Sequence, residues 1–128
     1  MKLIGRGARV ALADINGERA KSVAAALGER ARGYACDVTD PASLAALADA
    51  VVGDFGGVDL LFVNAGIALG GTVIDIAPQE IQWLYDVNVI GAVSTVRAFY
   101  PALEARSEEK GAARIVFTGS ENSIGLPA

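Results

Sequence analysis

The sequence predicts an α/β fold, a doubly wound parallel sheet, and three observations predict it. Short apolar runs alternate with amphipathic helical stretches along the 128 residues. The stretches are long enough to cross back over a sheet, which calls for right-handed crossovers, parallel strands and helices on both faces. Finally, Asp14, Asp37, Asn64 and Ser120 each stand just past such a run, at the carboxyl edge where a parallel sheet gathers its ligands.

The first run, Arg9 to Ala13, is short and mostly apolar, and it ends at Asp14 before Asn16 and Gly17. It reads as a buried strand. Ala20, Val23, Ala24 and Leu27 then fall at helical spacing, with Glu18, Arg19, Lys21 and Ser22 opposite and Gly28 as the stop. A second strand spans Arg32 to Cys36. In the segment that follows, Asp40 can cap a helix whose first turn takes Pro41. Leu44, Leu47, Ala48, Val51 and Phe55 form the apolar stripe of that helix, and Gly56 and Gly57 close it.

The third strand, Val58 to Val63, is almost wholly apolar and is expected to be buried on both faces. A loop from Asn64 to Gly71 leads through Pro78 into one long helical stretch reaching about Glu104. The fourth strand is Arg114 to Thr118. No repeat, low-complexity tract or linker divides the chain, so residues 1–128 read as one domain.

Composition narrows the function. Hydrophobic residues make up 52% and charged residues 20%, the balance of a folding chain. The net charge of -4, with its 11 Lys and Arg scattered, argues against nucleic acid and anionic membranes and for a small-molecule partner. Cys36 is the single cysteine and there is no His, so neither an intrachain disulfide nor a Cys/His metal set is expected. No signal peptide or membrane-length apolar run is recognisable, and the cytoplasm is the expected location.

Each strand-end residue has an ordinary structural reading: an Asp caps a helix, Asn-Ala-Gly makes a turn, a Ser bonds backbone. Together they line one edge with donors and acceptors suited to a nucleotide and a carbonyl. Asn88 shares a helical stripe with Leu84, Gly91, Thr95 and Ala98 that should face inward, and a buried amide needs partners. A structural hydrogen bond, a kink beside Gly91 and a functional role all remain open for it. Trp83, Tyr85, Phe99 and Tyr100 lie at mixed spacing and read as packing or subunit-interface residues.

The ordered set resembles the short-chain dehydrogenase/reductase family across essentially the whole chain. GARVALAD is similar to its second-strand segment, ACDVTD to its adenine-side segment, and VNAG to its Asn-Asn-Ala-Gly signature with Val63 in place of the first Asn. DVNVIG resembles the long-helix segment bearing the catalytic Asn, and RIVFTGS the strand bearing the catalytic Ser. The resemblance implies a Rossmann-type sheet and a dehydrogenase moving hydride between NAD(H) and an alcohol or ketone.

It further implies catalytic roles for Ser120 and Asn88. Ser120 would polarise the substrate oxygen, with Thr118 and Ser123 as nearby competitors, and Asn88 would anchor a water in a proton relay. Asp14, Asp37, Val38, Asn64, Ala65 and Gly66 would hold the cofactor. Asp14 suits both ribose hydroxyls and repels a 2'-phosphate, so NAD is expected over NADP, and no Arg adjoins it in sequence to reverse that preference. The long helix would help build a homo-oligomer.

Two further family parts are implied but not contained. A Gly-rich phosphate loop belongs after a strand preceding Arg9, with Met1 to Arg6 leaving room for one turn of its helix. A Tyr-x-x-x-Lys pair belongs about a dozen residues past Ser120. The 128 residues alone are therefore expected to be an inactive internal fragment. The implied first strand is central, so its loss should split the sheet and leave the isolated chain poorly folded or self-associating.

Two other classes compete. A receiver-like signalling module would need an Asp after its middle strand and a Lys after a later one, where Asn64 and Gly119-Ser120 stand. A non-catalytic interaction partner would use the long helix as its contact surface.

Overall fold

A computed structural model describes residues 2–72 and 74–120. Strands β1 (Val10–Asp14) and β2 (Ala31–Ala35) run parallel, with Val10 opposite Ala31 and Asp14 opposite Ala35. Strands β3 (Leu60–Val63) and β4 (Arg114–Phe117) also run parallel, with Leu60 opposite Arg114 and Val63 opposite Phe117. The described strands thus form two separate two-stranded sheets, β1-β2 and β3-β4. A mixed α/β arrangement of parallel strands and helices is as the sequence predicts, with the described strands divided between two sheets.

Helix α1 (Gly17–Leu27) packs on the first sheet through buried Ala20 and Ala24. Its approach requires glycine at Gly33, where a Cβ would lie 2.3 Å from the Ala20 and Lys21 backbone. Asn16 caps α1 by accepting from Arg19 N at 3.0 Å. Helix α2 (Pro41–Phe55) starts as expected, with Asp40 Oδ1 accepting from Ala42 N at 2.9 Å and Pro41 in the first turn. Gly56, in the left-handed region, ends it. Ahead of β1, a 3₁₀ turn at Ile4–Arg6 closes on Gly7.

The stretch from Pro78 is not one uniform helix. It comprises α3 (Pro78–Tyr85), a π turn at Asp86–Ile90 and α4 (Gly91–Lys110), which runs beyond the expected end near Glu104. Gly91 N donates to Asp86 O, the five-residue spacing that widens the coil.

The main core joins Leu44, Leu47, Ala48 and Val51 of α2 to Leu61 and Val63 of β3 and to Phe99 and Leu103 of α4, with Cys36 and Val58 between them. Full burial of β3 is corrected here. Leu61 and Val63 are buried, but Phe62 between them is 50% exposed. Successive strand side chains point to opposite faces, and only one face of β3 is covered by α2 and α4. Strand β4 is exposed along its length, Phe117 most of all.

Candidate active site

Four contacts tie the carboxyl ends of the strands together. Cys36 N donates to Asp14 O at 3.0 Å, which joins the segments leaving β2 and β1. Val38, three residues past β2, packs against Gly91, where a Cβ would meet Val38 Cγ2 at 2.8 Å. Asn88 reaches from the π turn to the loop after β3. Thr118, one residue past β4, donates from Oγ1 to Asn64 Oδ1 at 2.8 Å. These contacts link Asp14, Val38, Asn64 and Asn88 to elements distant in sequence, while Asp37 and Ser120 are not among the residues they join.

Asn88 makes the most specific of these contacts. Its Oδ1 accepts from Ile67 N at 2.8 Å and its Nδ2 donates to Ile67 O at 2.9 Å. One carboxamide thus satisfies both main-chain groups of a loop residue. A Cβ on Gly66 would crowd Asn88 Oδ1 at 3.3 Å, so the loop passes close by at a glycine. The half-buried stripe of Leu84, Asn88, Thr95 and Ala98, with Gly91 buried, faces inward as its spacing predicts. A π turn and a structural hydrogen-bond pair are both present at Asn88.

Asp14 ends β1 half-buried. Its Oδ1 accepts from Asn16 N at 2.8 Å, while Oδ2 has no hydrogen bond among the described residues. A cavity of about 220 Å³ opens there, lined by Leu12, Ala13, Asp14, Arg19, Ala20 and Val23. Arg19 in this lining was not evident from the sequence, where no Arg adjoins Asp14; the start of α1 brings it back five residues later. A free carboxylate oxygen in a cavity suits a vicinal diol, as the ribose of a dinucleotide offers.

Asp37 is engaged locally. Its Oδ1 accepts from Thr39 Oγ1 at 2.7 Å and Thr39 N at 2.9 Å, and these bonds hold its carboxyl below the usual carboxylate range. Its own N–H donates to Ser43 Oγ at 3.0 Å. Burial pushes the neighbouring Cys36 thiol up, which keeps it protonated and unreactive. Asn64, Ala65 and Gly66 follow β3 directly, and Ser120 is exposed three residues past β4. Of the competing hydroxyls, Thr118 is committed to Asn64, and Ser123 lies outside the described residues.

Among the described residues no cluster of His, Cys, Asp and Glu could hold a metal ion, and no helix is long and apolar enough to cross a membrane. Of the aromatic residues, Phe99 is core, while Trp83, Tyr85 and Tyr100 are about half exposed.

A family profile for short chain dehydrogenases matches residues 1–126. The 3-alpha-(or 20-beta)-hydroxysteroid dehydrogenase of Mycobacterium tuberculosis is 43% identical over 96 residues, covering 75% of this chain and 37% of that protein. The D-threitol dehydrogenase of Mycolicibacterium smegmatis is 37% identical over 119 residues, covering 91% and 44%. Among solved structures, a 3-ketoacyl-(acyl-carrier-protein) reductase from Brucella melitensis complexed with NADH superposes with a TM-score of 0.87 at 28% identity, covering 93% of this chain and 50% of that one. A dehydrogenase/reductase from Burkholderia phymatum in complex with NAD gives 0.82 at 34%, covering 93% and 42%. The chain spans about two fifths of the length of the curated relatives it matches.

Proposed function

The chain belongs to the short-chain dehydrogenase family, and we propose that the protein carrying it moves a hydride between NAD(H) and an alcohol or ketone. The observation that carries this reading is the set of contacts joining Asp14, Val38, Asn88, Asn64 and Thr118 across four strand ends. It makes a single edge of residues suited to a dinucleotide on one side and a carbonyl on the other.

In this reading residues 1–128 are part of a Rossmann-type NAD-binding domain. The free Oδ2 of Asp14 accepts from ribose hydroxyls, and its charge disfavours a 2'-phosphate, so NAD is preferred to NADP. Asp37 and Val38 border the adenine, and Asn64, Ala65 and Gly66 let backbone pass near the cofactor. The nicotinamide ring, when bound, supplies or accepts the hydride. Ser120 hydrogen-bonds the substrate oxygen and stabilises charge that develops on it.

Asn88 acts chiefly by positioning. Its side chain is fixed by two hydrogen bonds to Ile67, and its main chain in the widened turn is a further group able to contact a relay water. The half-exposed Trp83, Tyr85 and Tyr100 on the helical stretch suit a homo-oligomer interface, and a cytoplasmic location remains part of the proposal.

The test is to express the polypeptide encoded by the whole open reading frame and follow nicotinamide absorbance with a panel of secondary alcohols and ketones. Turnover with NAD(H) is expected. Ser120→Ala should lower kcat by about a hundredfold or more, as loss of one preorganised donor does. A wild-type protein that neither binds NAD(H) nor turns over any alcohol would refute the reading.

A further inference from the structure

We propose that Thr118 is a positioning residue that fixes the Asn64 carboxamide with its amide group turned toward the cofactor. The inference rests on the functional reading above. Thr118 Oγ1 donates to Asn64 Oδ1 at 2.8 Å, and Thr118 N donates to Val63 O at 3.0 Å. A main-chain and a side-chain bond therefore join the ends of β3 and β4, 54 residues apart in sequence.

Two consequences follow from this pairing. With Oδ1 held by the Thr118 hydroxyl, the Asn64 carboxamide is fixed with its Nδ2 end on the opposite side, and Nδ2 makes no hydrogen bond among the described residues. An exposed carboxamide is otherwise free to turn, presenting either a donor or an acceptor. The lock makes it a donor, suited to an acceptor such as a ribose hydroxyl oxygen or the carbonyl of the nicotinamide amide.

The loop is also held at its other end, where Asn88 binds both main-chain groups of Ile67. Only Ala65 and Gly66 lie between the two clamps. Finally, Ser120 follows Thr118 by two residues, so the same bond sets the separation between the cofactor loop and the hydroxyl that meets the substrate. Reacting groups held this way lose rate steeply when displaced.

The experiment uses the polypeptide from the whole open reading frame, with NAD(H) affinity read by titration and kcat and KM read separately for cofactor and substrate. Thr118→Val removes the hydroxyl at nearly constant volume, and it should weaken cofactor affinity about tenfold, the effect of one hydrogen bond. The KM for substrate should change less than that for cofactor, and Thr118→Ser should restore both affinity and rate.

Asn64→Asp guards against a variant that fails to fold. A carboxylate still accepts from Thr118 but cannot donate, so the same loss of cofactor affinity is expected with an unchanged melting temperature. Wild-type cofactor affinity in either Thr118→Val or Asn64→Asp overturns the inference. So does a loss in Thr118→Val that falls equally on both KM values and tracks a lowered melting temperature. A wild-type protein that does not bind NAD(H) removes the functional reading and this inference with it.

Discussion

Val38 and Gly91 meet so closely that a Cβ on Gly91 would lie 2.8 Å from Val38 Cγ2 and 3.2 Å from Asp86 O. The segment leaving β2 is thereby seated on the helix that carries Asn88. The segment after β2 and the helical stretch are therefore packed without room for a methyl between them.

This contact decides the effect of Gly91→Ala. Alanine is the better helix former by about 1 kcal/mol, but overpacking a tight contact costs about 1–3 kcal/mol. Gly91→Ala should therefore destabilise the protein by roughly 1 kcal/mol in urea unfolding. In a Val38→Ala background the 2.8 Å clash is gone while the residue 38 Cβ and Asp86 O stay at 3.2 Å, so the same change should cost less than in the wild type. A double-mutant cycle with no coupling would contradict the packing argument.

Asn88→Ala removes both partners of the Ile67 main chain, leaving half-buried groups unsatisfied at about 1–3 kcal/mol. Asn88→Asp keeps the acceptor but sets a carboxylate against Ile67 O, so it should not rescue. Amide hydrogen exchange at Ile67 is the direct readout: protection in the wild type should fall in both variants.

How much of this was legible in the sequence depends on the range of the interaction. Helices α1 and α2, with the Asp40 cap and Pro41, were readable because cap, period and stop are local signals, and strands β1 and β2 were displaced by only a residue. The π turn was not readable. It depends on Asn88 finding Ile67, 21 residues away, and on Gly91 meeting Val38. Thr118 looked like a rival of Ser120 until its partner 54 residues away was known. Phe62 misled for a related reason, since an apolar strand shows that burial is wanted but not which element supplies it.

Arg106 was also illegible, as one charge among several at the end of α4. It is 9% exposed, donates to Gly56 O at 3.1 Å and to Glu109 Oε2 at 2.8 Å, and its Nε lies 3.3 Å from Asp59 Oδ1 in an ion pair too poorly aligned for a hydrogen bond. Gly57, at φ +140°, would drive a Cβ to 2.5 Å from the Arg106 guanidinium. Arg106→Ala should cost about 1–3 kcal/mol through lost packing and an orphaned carbonyl, since both acids stay solvated. Arg106→Lys should recover little, because one ammonium cannot span all three partners. Chemical denaturation measures both.

Tyr34 gives stability a high-pH limit. Its half-burial and its 2.7 Å hydrogen bond to Asp54 Oδ2 push the phenol up to about 12. A group whose pKa rises on folding stabilises the protein fully below its unfolded value of about 10 and loses that contribution as pH climbs through the folded value. Melting temperature should therefore fall between about pH 10 and pH 12. In Tyr34→Phe the wild-type advantage should shrink across that window, and parallel curves for the two proteins would refute the assignment.

The cavity at the end of β1 holds opposite charges, and their balance should set cofactor choice. Asp14 is half-buried with one oxygen free, whereas Arg19 is exposed and has no ion pair among the described residues. Hydrogen bonds to a charged acceptor are worth about 1.5–3 kcal/mol, so Asp14→Ala should weaken NAD binding roughly tenfold to a hundredfold. Removing the carboxylate also lifts the repulsion of a 2'-phosphate, so the NAD to NADP affinity ratio should collapse toward one or below. An exposed cation contributes far less, about 0.2–1 kcal/mol, so Arg19→Ala should sharpen the preference for NAD by at most about fivefold. That smaller effect should fade as salt is raised, because only the exposed charge is well screened. Titrating the whole-reading-frame protein and both variants with each cofactor at two ionic strengths separates the contributions. An affinity ratio untouched by Asp14→Ala would mean that the ribose is read elsewhere.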